Sequence, residues 1–526
     1  MAIANTAAAA VVLPFFLLLY TGRGVTGWEG PCPFQPLCTC DGPEDPSTVD
    51  NVINYTVVGC QHYSREWLTM NDEDISTQEL YVVGNYTDIP PEAFRQFSDV
   101  RNLQLFRMDN EVVKPIQVSD AAFEPHLSQT LESLTVQLHF SPLDGIPPAV
   151  RTLTNLQTVS ITRARIDRLR DFSFAEKNMQ YPKVKMIVVA NCEIKDVEPF
   201  AFYGQENSVQ TLDLSFNELN FYPIAAIAPL QILNQLSLSN NPLRTLPPAA
   251  FQSNHFVQIL NLNSTLLSTL PENVFQGLET SLVWLDLSNN DLTKLPESFY
   301  RLRALQTVSL YNNRLVELRN LSALAGLGSL NIERNPLTGG LAPGLFSDLP
   351  NLASVSVSHA SMSKLNLDIL RGSRLSVLKV RDNPALRKVD LLNTADIPPT
   401  LSVLNFSSNS QLESFSPLLL DVMRERHYLQ LDIGHLPSFY CHCRLDWMNE
   451  VLEINPGQIL MENTVCGNRR QVSLAQFLRD LRDGLCYAEL YTTTAAPLRQ
   501  RNSTQHLSLS RLMQVLMMIS VFVVLK

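Results

Sequence analysis

Residues 282–315 read LVWLDLSNNDLTKLPESFYRLRALQTVSLYNNRL, and the spacing of the apolar residues in this stretch decides the fold. Leu282, Leu285, Leu287, Asn290 and Leu292 fall on the pattern L-x-x-L-x-L-x-x-N-x-L, and Leu305, Val308, Leu310, Asn313 and Leu315 repeat it 23 residues later. Alternation at Leu285 and Leu287 predicts a short strand with one buried side. The LPxxxF-like stretch that follows predicts a return that brings the chain back to begin a parallel strand beside the first. The asparagine falls where the strand ends and the backbone groups of stacked turns become buried. Its amide both donates and accepts, so a column of such side chains satisfies N–H and C=O groups that burial would otherwise orphan.

The same spacing recurs along the chain. Periods begin at Leu156, Val184, Val209, Leu233, Val257, Leu282, Leu305, Leu327, Leu352, Leu375 and Leu401, at separations between 22 and 28 residues. Weaker copies precede them at Leu80, Val82 and Asn85, at Val100, Leu103 and Leu105, and at Leu131, Leu134 and Val136. A pattern of this kind at this period is that of a leucine-rich repeat. It predicts an α/β-type solenoid, a right-handed horseshoe whose parallel sheet lines the concave side. Residues 106–130 exceed an ordinary return and predict an inserted surface loop.

Composition excludes several classes. The chain has 526 residues, 45% of them hydrophobic and 17% charged, enough to bury a large core. Its formal charge of −11 is spread without a basic block, which argues against a nucleic-acid partner. There is no H-E-x-x-H, G-x-S-x-G, phosphate loop or dinucleotide fingerprint. The nine histidines are dispersed, His427, His435 and His442 coming nearest to a group, and Asp213 and Asp286 fall on separate strands. An enzyme is not expected, nor a cofactor.

At the N-terminus the apolar run Ala7–Tyr20 leads into TGRGVTG and reads as an export signal ending near Gly24 or Gly27, although no Lys or Arg precedes it. Export gives the nine cysteines meaning, because it places them in an oxidising compartment. Four stand before the clear repeats, Cys32, Cys38, Cys40 and Cys60, and four after them, Cys441, Cys443, Cys466 and Cys486. Each set predicts a stapled cap over one open end of the solenoid. Spacing leaves all three connectivities of each set open. A zinc site at Cys441, His442, Cys443 and Cys466 is the rival reading, and export disfavours it. The ninth, Cys192 in VKMIVVANCEI (184–194), stands at the asparagine position and is expected to be a buried thiol.

Over residues 32–486 the chain resembles extracellular leucine-rich repeat proteins with cysteine-rich N- and C-terminal caps, and FYCHCRLDWM (439–448) resembles the opening of such a C-terminal cap, although Leu436 replaces the ladder residue before it. The resemblance implies the pairings Cys32–Cys40 with Cys38–Cys60 and Cys441–Cys466 with Cys443–Cys486. It also implies a division into a signal peptide at 1–27, an N-terminal cap at 28–76, a solenoid at 77–435 and a C-terminal cap at 436–487. A Thr- and Pro-containing stalk at 488–504 and a hydrophobic anchor signal at 505–526 would follow. How the chain closes favours the lipid-anchored adhesion and receptor branch, such as connectin and the Nogo receptor. The apolar tail Leu512–Leu525 has 14 residues, short for a spanning helix but within the range of a glycolipid-anchor signal, with Asn502 as the attachment residue.

Sequons stand at Asn54, Asn85, Asn263, Asn320, Asn405 and Asn502. Asn85 is expected bare at a ladder position. Asn54 and Asn320 are expected to carry glycans, and Asn263 and Asn405 to carry them on the concave face. Outward residues from Thr158 to Ser356 are mostly Thr, Ser, Asn, Gln and Asp, whereas Trp284, Tyr311, Glu333, Lys379 and Arg381 mix aromatic and charged types and are the candidate ligand-binding residues. The expected partner is an extracellular protein ligand or a membrane co-receptor, met at the outer leaflet, with homophilic contact open. The alternative is a secreted or matrix-associated recognition protein.

Overall fold

The computed structural model describes residues 38–41, 53–61, 75–84, 88–107, 115–175, 183–468, 472–483 and 485. The signal segment, stalk, tail, Asn85 and Asn502 lie outside them.

Each repeat contributes one short strand, and the strands stack in register into a single sheet. From Thr211–Asp213 the order runs through Gln235–Ser237, Ile259–Asn261, Trp284–Asp286, Thr307–Ser309, Ser329–Asn331, Ser354–Ser356, Val377–Lys379 and Val403–Asn405 to Gln430–Asp432, every neighbour parallel. Leu212, Leu236, Leu260, Leu285, Val308, Leu330, Val355, Leu378, Leu404 and Leu431 occupy one register position and are all buried. A fully buried side chain of this kind stabilises by about 1.5–3 kcal/mol, and the in-register stack multiplies that contribution along the solenoid. No strand is long enough to bury a core alone.

The sheet continues beyond the clear repeats at both ends. Ile53–Gln61 pairs parallel with Ile75–Gly84, and Cys38–Asp41 closes that edge antiparallel, with Cys38 directly opposite Cys60. At the other end Ile459–Leu460 pairs with Gln430–Asp432. Among the described cysteines, Cys441 is bonded to Cys466 with Cα atoms 5.3 Å apart, and Cys443 is also disulfide-bonded. Cys32 and Cys486 lie outside the described residues.

The asparagine column behaves as the sequence predicts. Asn290 Oδ1 accepts from the backbone N–H groups of Thr265 and Leu267, while its Nδ2 donates to the carbonyls of Leu262, Leu287 and Ser288. Asn217, Asn241, Asn313 and Asn335 likewise reach back one repeat. Cys192 takes a place in this column, fully buried, its Sγ 3.4 Å from the Ile161 carbonyl and its N–H donating to Asn217 Oδ1. Thr265 and Ala360 stand where asparagine is otherwise found. Thr265 keeps part of the role by donating to the Leu262 carbonyl at 2.7 Å, whereas Ala360 offers only its N–H, to Asn383. On the return side, Phe251 stacks on Phe275 with centroids 6.3 Å apart, and Phe174 on Phe202 at 6.0 Å.

The described part of 106–130 forms a return to the next period. Gln117–Val118 pairs with Asp88–Ile89, Phe123 stacks on Phe94 at 6.0 Å, and the helix Leu127–Thr130 leads into Leu131, buried at the start of the next period. Residues 108–114 lie outside the described chain.

Candidate functional site: the solvent face of the sheet

Because side chains alternate along each strand, three outward positions per repeat form columns that cross the sheet. Trp284 belongs to the first column, with Ile259 and Thr307 as neighbours. Asp286, Ser309, Asn331, Ser356, Lys379, Asn405 and Asp432 form the second. Two residues further on, Ser288, Tyr311, Glu333, Ser358, Arg381 and Ser407 form the third. The structure therefore places Tyr311 and Glu333 on adjacent repeats, with Arg381 two repeats beyond Glu333 and Lys379 just before it. Trp284 stands apart, four residues back along the strand from the level of Tyr311, or about 13 Å. It keeps its place on the same outward face, one repeat before Tyr311.

Hydrogen bonding then separates residues that are engaged from residues that are available. Where the second column carries Asp or Asn, the side chain accepts from the N–H two residues on. Asp213 does so with Ser215, Asp286 with Ser288, Asn331 with Glu333, Asn405 with Ser407 and Asp432 with Gly434. Such short polar side chains cap their own backbone as the strand turns outward. Asp213 is buried, and burial raises its carboxyl above the ordinary range against the lowering effect of its serine hydrogen bonds. These acids maintain the edge of the sheet and have little left to offer a partner.

The sequon residues on the face are engaged too. Asn263 Nδ2 donates to Ser288 Oγ at 2.6 Å and lies 3.4 Å from Asp286 Oδ2, and Asn405 Nδ2 donates to Asp432 Oδ2 at 2.8 Å. Both amide nitrogens, the atoms that would carry glycans, point toward the following repeat. Asn320 is exposed on the return side, its Oδ1 accepting from the Ser322 N–H at 2.7 Å. Asn54 lies within the strand Ile53–Gln61.

Between the two face sequons the sheet changes character. Tyr311 is covered by the Arg334 guanidinium, 5.5 Å from the ring centroid. Glu333 is half-buried, and its carboxylate has no donor among the described residues. Arg381 is exposed; its Nε donates to Ser407 Oγ at 3.1 Å, and its backbone N–H donates to Ser358 Oγ at 3.1 Å. Lys379 is exposed, with no acceptor in reach among the described residues. His359 lies 3.9 Å from Asp382 along the same edge. Arg334, His359, Ser358 and Ser407 escaped the sequence reading. The usable signal was position: Arg334 and His359 immediately precede the ladder position, with φ of 56° and 57°, and so project at the sheet's edge. Their N–H groups donate to the carbonyls of Ser358 and Arg381, which offsets the strain of a left-handed backbone.

Residues 182–243 and 231–292 match the leucine rich repeat family. The chain is 26% identical over 324 residues to human podocan-like protein 1, covering 60% of this chain and 59% of that protein. It is 29% identical over 204 residues to chaoptin of Tribolium castaneum, covering 37% of this chain and 25% of that one. The chain thus spans less than two thirds of the length of these relatives. Among solved structures it superposes on the receptor of the TLR13–ssRNA13 complex with a TM-score of 0.58 at 20% identity, covering 79% of this chain and 62% of that one. A chain of the Toll–Spatzle complex gives a TM-score of 0.53 at 18% identity, with the same coverages. At these identities the superpositions speak for the fold. In repeat pattern, strand stacking and relatives alike, the chain is a leucine-rich repeat protein with podocan-like protein and chaoptin among its homologues.

Proposed function

We propose that the chain is a cell-surface recognition protein that binds an extracellular protein ligand, or a receptor on a neighbouring cell, through the solvent face of its sheet. The observation that carries this reading is the strip from Tyr311 to Arg381. It is the part of the face where an aromatic ring stands with charged groups, Glu333 and Lys379 having no partner among the described residues, between two sequons. Leucine-rich repeat proteins are in general binding scaffolds rather than enzymes. The export signal, the stapled caps and the tail support a tethered protein on the outer leaflet, with Asn502 as lipid attachment residue.

The reading is tested on cells that express the full chain, screened against an array of recombinant extracellular domains. Tyr311→Ala should weaken the binder recovered by about 2 kcal/mol or more while leaving the melting temperature unchanged. An equal loss of folding, or full affinity, would move the site off the strip. Phospholipase C should release the full chain into the medium; retention with an intact C-terminus would replace the lipid anchor by a spanning tail, and spontaneous release would favour a secreted protein.

A further inference from the structure

We infer that Lys379 and Arg381 form a carboxylate-receiving site, and that the partner of the face is a protein segment bearing aspartate or glutamate. This rests on the proposed use of the face and names the chemistry of its partner.

From the strand Thr211–Asp213 to the strand Gln430–Asp432, the outward columns contain two basic residues, Lys379 and Arg381, adjacent along one strand. The acids of the same columns are mostly satisfied from within: Asp213 by Ser215, Asp286 by Ser288, and Asp432 by Gly434 and Asn405. The two bases are not. Lys379 has no acceptor among the described residues, and Arg381 spends one N–H on Ser407 Oγ. That bond and the bond from its backbone N–H to Ser358 Oγ hold Arg381 from both flanking repeats, so the terminal nitrogens of the guanidinium are presented as a planar fork. A fork of that shape matches a carboxylate bidentately, and the flexible lysine beside it can take a second oxygen. On a chain of net charge −11, an oriented pair of cations with open donors is a local reversal of sign.

Glu333 identifies the kind of anion. It sits on the same column two repeats away, about 10 Å from Arg381 at the spacing of strands, and lacks a donor. A uniformly charged polysaccharide laid along the column would meet this carboxylate and be repelled. A polypeptide can place a carboxylate on Arg381, a donor on Glu333 and an apolar group on Tyr311.

The test pans a phage-displayed random dodecapeptide library on cells expressing the full chain. Peptides with Asp or Glu should be enriched, and Lys379→Gln with Arg381→Gln should reduce their recovery at least tenfold at an unchanged melting temperature. Lys379→Glu with Arg381→Glu should shift the selection toward Lys and Arg. Selection without acidic enrichment, enrichment that survives the double substitution, or tighter binding of a heparin octasaccharide than of the acidic peptides would each overturn the inference. Tyr311→Ala separates the two readings. If it abolishes selection while the charge variants do not, the carboxylate site alone fails; if neither changes selection, the face itself is not the binding surface.

Discussion

Cys192 is held in the interior by the column it belongs to. Burial pushes its thiol up to about 12, which leaves it protonated and a poor nucleophile throughout the physiological range. Alkylation of the native protein should therefore leave Cys192 unlabelled until denaturant is added, and rapid labelling in the folded state would contradict its position. The same shift fixes a pH dependence. Below the ordinary thiol value of 9.0 both states are protonated and the group is silent; between 9.0 and about 12 the unfolded chain loses a proton that the native chain keeps, so stability falls as pH rises. The slope from this one group is at most about 1.4 kcal/mol per pH unit, and Cys192→Ala should remove it from the difference between the two proteins. This residue was legible in sequence because the ladder position recurs with the repeat. Arg381 was legible only as an outward charge. What orients it comes from Ser358 and Ser407, and pairing across strands whose sequence separation varies cannot be read from one repeat.

At the scale of the element, the ladder asparagine does more than end a strand. Asn290 joins its own turn to the preceding repeat through both amide atoms, so Asn290→Leu would leave several buried backbone groups without partners. The expected cost is about 1–3 kcal/mol, seen as a lower midpoint in thermal or denaturant unfolding before any loss of ligand binding. An unchanged midpoint would mean that the stacked turns do not depend on the amide. Strand placement was legible because alternation and period agree along the chain. The return within 106–130 was not legible because it lacks the usual LPxxxF-like spacing. Its phenylalanine still stacks on the previous repeat, as Phe123 on Phe94 shows. That Trp284 and Tyr311 both face outward was legible from alternation, whereas the four residues along the strand that separate their levels follow only from the pairing register.

Across the described molecule, the sheet runs from the antiparallel edge at Cys38–Asp41 to Ile459–Leu460 without a break in pairing. The function proposed for it follows from which part of this continuous face is left chemically open. Ser356 lies in the middle of that part, half-buried between Asn331 and Lys379 in the second column. Ser356→Asn completes an N-x-S acceptor with Val357 and Ser358 in a single substitution, and a glycan there would stand over the strip while leaving Tyr311, Glu333 and Arg381 intact. The decisive measurement is the binding of the recovered extracellular domain to cells displaying this variant with glycan occupancy proven by mass spectrometry, beside Asn320→Gln as the return-side control. The Ser356 glycan should abolish binding and loss of the Asn320 glycan should leave it unchanged; full affinity with Ser356→Asn occupied would place the binding surface elsewhere.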